Sequence, residues 1–293
     1  MLHPLHAMLP LYPDAVPPAL AHRPLLHPFF QQLRDGLSEF TFANIYLFRE
    51  AHRYGLSRLD DGTIVLLGRD KAIPFFILPF GLPELPLLQA LFRDHGTMKC
   101  VPRSMAVTLA GMGFQAIEDR DNYDYLYRRQ ALAELGGRNY HKKRNLIKAF
   151  LNAHPSYTAR PLREEYRAEA LQVLDAWREA NSADGDVEAA REALEQMETL
   201  QLCGGIYAVE EQPVAYVLGE ELPGVATFVI HFEKAVPGYK GLYQFINQSF
   251  AAILPEDYET INREQDLGNE GLRHAKLSYN PSGFIEKFKV VAS

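Results

Sequence analysis

The sequence predicts an α/β chain made of two copies of one module. Three observations carry this. Helix-period patterns alternate with short runs rich in Val, Ile, Phe and Tyr along most of the chain. The order of elements in the first half recurs in the second, although the residues do not. At 293 residues, with 47% hydrophobic and 23% charged residues, the chain has length and composition for two ordinary cores.

Residues 1–28 hold seven prolines and four histidines. They read as an irregular arm over 1–27, either lying on the fold or loose. Its histidines lack compact spacing and acidic partners, so no metal site is expected. The first module, 28–155, begins with a helical region at 28–54. A hairpin follows, its strands 63–67 and 73–78 flanking the turn Arg69-Asp70-Lys71. Then come a helix (85–95), a short strand (98–102), a short helix (104–111) and one long extended piece (114–128). A basic linker helix, 138–151, carries five Lys/Arg within residues 138–148. The second module, 156–293, opens with helices at 163–181 and 187–200. In the former, Tyr166, Ala170, Val173, Leu174 and Trp177 recur at helical spacing. A hairpin (205–209 and 214–218), a strand (225–232), a helix (242–254), a strand (258–263), a short helix (270–277) and a single last strand (284–291) complete it.

The formal charge of −7 is local. Residues 160–222 hold fifteen Asp/Glu against five Arg, and the remainder is slightly basic, so an anionic ligand bound elsewhere is compatible with it. Cys100 and Cys203 lack metal-type spacing and imply neither a zinc site nor a disulfide framework. A reducing, cytoplasmic setting is the default. The N-terminus has no secretory pattern. The most apolar stretch, 72–92, is interrupted by prolines, whereas a membrane span needs roughly 20 continuous apolar residues.

Residues 261–276 (INREQDLGNEGLRHAK) crowd charges and amides of both signs around glycines. Such groups are costly to bury without partners, so the block is either exposed, internally ion-paired, or lines a site. On an extended segment Asn262, Glu264 and Asp266 would share one face, and Asn269 would cap a helix bearing Arg273 and Lys276. Upstream, a very apolar strand ends at His231 and Glu233. The loop Gly238-Tyr239-Lys240-Gly241 then leads into the helix that carries Tyr243 and Asn247. A strand, a glycine loop and a helix N-terminus make an anion-site candidate, with Gly238, Lys240 and Gly241 as its parts. Lys142, Lys143 and Arg144 of the basic helix are further phosphate-binding candidates, or a solvated helix face.

The order helix–helix–hairpin–long strand–glycine loop–helix–strand–helix–strand is similar to the GNAT acyltransferase fold, whose modules are mixed sheets flanked by helices. The spacing of Lys234, Gly238 and Gly241 departs from that fold's usual pyrophosphate loop. Three motifs go further: 40–48 (FTFANIYLF), 140–145 (YHKKRN) with Phe150, and 262–281 (NREQDLGNEGLRHAKLSYNP). They resemble the family that shares the C-terminal domain of bacterial phosphatidylglycerol lysyltransferases, which has tandem GNAT-like modules. The resemblance implies transfer of an aminoacyl group from aminoacyl-tRNA to an amine or hydroxyl, on a small-molecule or lipid acceptor, with no required cofactor. It implies catalytic roles for Glu264, Asp266, Arg273 and Lys276. It also implies substrate contacts for Asn262, His231, Glu233, Tyr243 and Asn247. A coenzyme A-dependent N-acyltransferase using acyl-CoA and a non-catalytic ligand- or RNA-binding protein are the alternatives. The irregular glycine loop and the basic helix favour a tRNA donor. The first module, mostly apolar at 98–110, is expected to be scaffold only.

Overall fold

The computed structural model describes residues 9–181 and 185–292. Residues 9–19 of the arm lie on the fold rather than loose, with bridges from Leu11 to Arg58 and Val16 to Leu56. Residues 1–8 fall outside the described residues, and residues 20–27, expected to be irregular, form a 3-10 turn (Leu20–His22) and most of the first helix. Helix α1 (Arg23–Phe30) begins before the predicted helical region and accommodates Pro28. A short α2 (Phe42–Leu47) is capped by Thr41, whose side chain accepts from the Asn44 N–H. Strands β1 (Gly55–Arg58), β2 (Ile64–Asp70) and β3 (Ile73–Ile77) form a meander. Helix α3 (Leu85–His95), β4 (Thr97–Pro102) and α4 (Arg103–Gly111) follow.

The predicted extended piece 114–128 is two strands. β5 (Gln115–Glu118) and β6 (Asp124–Arg128) are separated by a turn at Arg120–Asn122. Then come α5 (Arg129–Glu134) and the basic helix α6 (His141–Ala153), which buries Ile147 and Phe150. The second half runs β7 (Tyr157–Pro161), α7 (Arg167–Ala180), α8 (Val187–Glu195), α9 (Met197–Leu200), β8 (Cys203–Val209), β9 (Gln212–Leu222) and β10 (Thr227–Ala235). It ends with α10 (Leu242–Ile253), β11 (Thr260–Asn262), α11 (Glu270–Leu277), β12 (Gly283–Ile285) and β13 (Lys287–Val291).

Two mixed sheets result, in the orders β1-β2-β3-β4-β13-β5 and β12-β6-β11-β10-β9-β8-β7. The halves therefore exchange strands. β6, from the first half, pairs with β11 and β12. β13, the end of the chain, inserts between β4 and β5. The single last strand expected at 284–291 is thus two strands in different sheets, parted at Glu286. The 155/156 boundary falls between α6 and β7, and the sheets do not follow it. Each sheet packs its helices over an aromatic-rich core, with Phe76, Phe92 and Leu109 in one and Phe150, Phe228 and Phe245 in the other.

One glycine is demanded by a helix crossing. At Gly241, before α10, φ is +89° and an added Cβ would lie 2.1 Å from the Leu146 carbonyl of α6.

Residues 28–155 produced alone are expected not to fold, because β4 and β5 would lack β13 and β6 would lack both partners. Amide dispersion in a proton–nitrogen spectrum of that fragment is the check.

Candidate active site

β10 and β11 run parallel and pair only at Thr227↔Thr260, Phe228↔Ile261 and Val229↔Asn262. Beyond that point β10 shifts register against β9 between Ile230 and Phe232, while the chain after β11 turns away at Glu264, whose φ is +55°. A non-glycine residue in that region is strained and needs local support. Asn262 provides it, its Oδ1 accepting the Glu264 N–H at 2.8 Å. The predicted alternation of faces through 262–266 therefore stops at Asn262. In the gap between the parted strands lies a cavity of about 930 Å³, walled by residues from both sheets.

His231, at the register shift, is flanked by two carboxylates. Its Nδ1 lies 2.7 Å from Glu264 Oε1 and its Nε2 2.9 Å from Glu220 Oε1. Burial alone would lower its pKa, but these two bonds outweigh it and lift the imidazole to about 10. His231 is therefore an imidazolium that fixes Glu264, not a base. Glu233 accepts from Asn247 Nδ2 at 2.9 Å and from Arg263 at 3.2 Å. Lys276 donates to the carbonyls of Arg263, Glu264 and Gln265, stapling the turn after β11. Burial, with Arg263 nearby, lowers its pKa to about 8. Lys143 of α6 donates to Ser278 Oγ at 2.7 Å and sits over the Tyr279 ring. Burial and Arg263 lower its pKa as well. These two lysines face the cavity with no carboxylate partner among the described residues.

Of the side chains predicted for a site, His231, Glu233, Tyr243, Asn247, Glu264, Lys276 and Lys143 line the cavity. Asp266 and Arg273 do not. The Asp266 carboxylate is fully buried and accepts from Arg273 Nε at 2.9 Å, Tyr125 Oη at 2.6 Å and the Gly268 N–H at 2.9 Å. Burial pushes its pKa up, but these donors hold it below the usual carboxylate range. Together with Arg273 it forms a clasp that ties the loop to α11, the internal ion pairing left open above. Asn262 is also buried, donating to Asp124 and the Gly36 carbonyl. Arg144 donates to the Leu135 and Gly137 carbonyls and closes the turn before α6. Lys142, Gly238 and Lys240 are exposed outside the cavity, and Gly241 is packed under α6.

The first half also supplies part of the cavity wall. Glu39, Asn44, His52, Asp70, Lys99 and Cys100 all line the cavity. So does Lys287 of β13, 1% exposed, with Nζ 2.5 Å from Glu39 and 2.7 Å from Asp124. Burial opposes its charge, yet the two carboxylates raise its pKa. Lys287 carried a readable signal, a lysine on the strand leading into apolar Phe288 and Val290. His52 carried none. Among the described residues no group of His, Cys, Asp and Glu could hold a metal ion, and no helix is long and apolar enough to cross a membrane.

Two mixed sheets flanked by helices, with a cavity beside a parted parallel strand pair, define a mixed α/β protein. Residues 30–291 match the family described as "Phosphatidylglycerol lysyltransferase, C-terminal", and the chain belongs to that family. A conserved protein of unknown function from Bacteroides thetaiotaomicron is 31% identical, with 98% of this chain and 100% of that one covered and a TM-score of 0.85. The C-terminal domain (DUF2156) of a provisionally assigned lysylphosphatidylglycerol synthetase from Agrobacterium fabrum aligns at 12% identity over 94% and 93%, with a TM-score of 0.68. L-PGS from Bacillus licheniformis gives 12%, 95% and 93%, and 0.64. These two likenesses bear on the fold. No curated protein sequence matches.

Two stability predictions follow from the paired groups. Asp266→Ala should cost about 2–3 kcal/mol in urea denaturation, below the ~3–5 kcal/mol typical of a broken buried pair, because Arg273 keeps access to solvent. For His231 the folded pKa lies above the ordinary 6.5, so its contribution is complete below pH ~6.5 and is lost as pH rises through about 10. Wild-type stability should fall across that window, and His231→Gln should flatten the fall. Parallel curves for the two proteins would contradict the bracketed imidazolium.

Proposed function

We propose that this protein is an acyltransferase that moves an aminoacyl group from aminoacyl-tRNA to an amine or hydroxyl acceptor held in the cavity. The observation that carries the reading is a pair of lysines beside Arg263, the half-buried Lys143 and the buried Lys276. Both line the cavity, and neither is ion-paired with a carboxylate among the described residues. Such a corner suits a phosphate near the reacting ester or the oxyanion that develops on its carbonyl. Membership of a family named for a lysyltransferase supports the same chemistry. Transfer of this kind needs no protein nucleophile. It needs an acceptor positioned against the carbonyl and a route for its proton. A lipid acceptor is compatible with Leu267 and Leu272, which line the cavity yet stay 70% and 40% exposed at its rim. The contact between Gly241 and the Leu146 carbonyl weighs against a coenzyme A pyrophosphate seated on the first turn of α10.

Binding of lysyl-tRNA and of acetyl-coenzyme A, each across a salt series, tests the donor. Lysyl-tRNA should bind, and weaken steeply as salt rises. Lys143→Glu should reduce that binding by about tenfold or more at low salt, with a shallower salt slope. Saturable acetyl-coenzyme A binding with none to lysyl-tRNA would move the protein to the coenzyme A-dependent class.

A further inference from the structure

Attack by an amine or hydroxyl on an acyl carbonyl requires a group that takes the acceptor's proton. Most candidate bases facing the cavity are engaged. Glu39 holds Lys287, Asp186 holds Lys234, Glu233 holds Arg263, Glu264 holds His231, and Asp119 holds Lys289. His231 has a carboxylate on each ring nitrogen. Burial raises the Cys100 thiol well above its ordinary pKa and keeps it neutral.

His52 differs from all of these. It sits in the turn after α2, on the wall supplied by the first half. Its Nδ1 lies 2.8 Å from Asp70 Oδ1, and the other Asp70 oxygen accepts from Lys99. A carboxylate only accepts, so in the neutral ring Nδ1 carries the proton and Nε2 holds the lone pair. Nε2 has no hydrogen-bond partner among the described residues. The ring is held by neighbouring aromatic side chains, at 5.1 Å from Tyr54 and 6.3 Å from Phe75. A cavity-lining histidine with one nitrogen oriented by a carboxylate and the other without a partner among the described residues has the arrangement that general-base catalysis needs.

We propose that His52 is the general base of the transfer, oriented by Asp70, and that the acceptor occupies the first-half side of the cavity. The proposal rests on the acyl-transfer reading above. Nε2 takes the proton from the acceptor O–H or N–H as that atom bonds to the acyl carbon. The bond from the acyl carbon to the donor's ester oxygen then breaks, and the imidazolium returns the proton to that oxygen. No electron is gained or lost overall.

The test uses the full chain, lysyl-tRNA as donor and phosphatidylglycerol vesicles as acceptor. His52→Gly should lower kcat by about 10²–10⁴-fold while leaving lysyl-tRNA binding intact, and added imidazole should restore part of the rate. Asp70→Asn should lower kcat with the same binding, and imidazole should not restore it. Nitrogen-15 spectra of the wild-type imidazoles should give the neutral Nδ1–H form for His52. Wild-type transfer that survives in His52→Gly would overturn this assignment alone. So would an Nε2–H form, or a lost rate that imidazole leaves unrestored in a His52→Gly protein that melts like wild type. Absence of transfer by the wild type would sink the acyl-transfer reading and the assignment with it.

Discussion

The rest of the structure depends on the buried ammonium of Lys287. An ion of this size costs several kcal/mol to remove from water, so its site holds only if every surrounding group is satisfied. Here it is. Lys287 meets Asp124 and Glu39. Asp124 also accepts from the Ser38 N–H, Ser38 Oγ and Asn262 Nδ2. Glu39 accepts from Gln265. These groups come from β13, from β6, from the segment before α2 and from the end of β11. One charge cluster thus joins the two sheets where they exchange strands, and it anchors the turn that carries Glu264.

That turn has two further supports. Lys276 ties its three carbonyls from one side, and the Asp266–Arg273 clasp closes the loop beyond it. Strain at Glu264 is tolerated because the surrounding bonds over-determine it. Glu264 in turn holds one nitrogen of His231, and Glu220 holds the other. The cavity wall in the second half is therefore a rigid set of paired charges, which suits orientation and charge stabilisation better than proton transfer.

Much of the fold was legible because its helices and hairpins are locally encoded. Trp177 and its i±3/4 neighbours specify α7, and apolar runs bounded by turn residues specify β2, β3, β8 and β9. The exchange of β6 and β13 was not legible. The partner of Lys287 lies 163 residues away at Asp124, and no local period records which sheet a strand joins. Within the polar block, Glu264 and Asp266 look alike in sequence. One faces a cavity and the other is roofed by Tyr125 and Arg273, a difference made by residues outside the block. The glycine loop carries a packing demand that the sequence does not show. Gly238 and Gly241 suggest an anion cradle, but Gly241 is required by the approach of α6. His52 stands in a turn with no motif, and its dyad with Asp70 exists only once β2 is folded beside it.

The two halves differ in what they bring to the cavity. The second supplies ion-paired Arg263 and His231 and, beside them, Lys276, which has no carboxylate partner among the described residues. The first supplies His52, whose Nε2 has no partner among the described residues, and the helix that ends it supplies Lys143. Because each half also lends the other a strand, neither wall is complete unless both are folded. A cavity built this way cannot be assembled from one module.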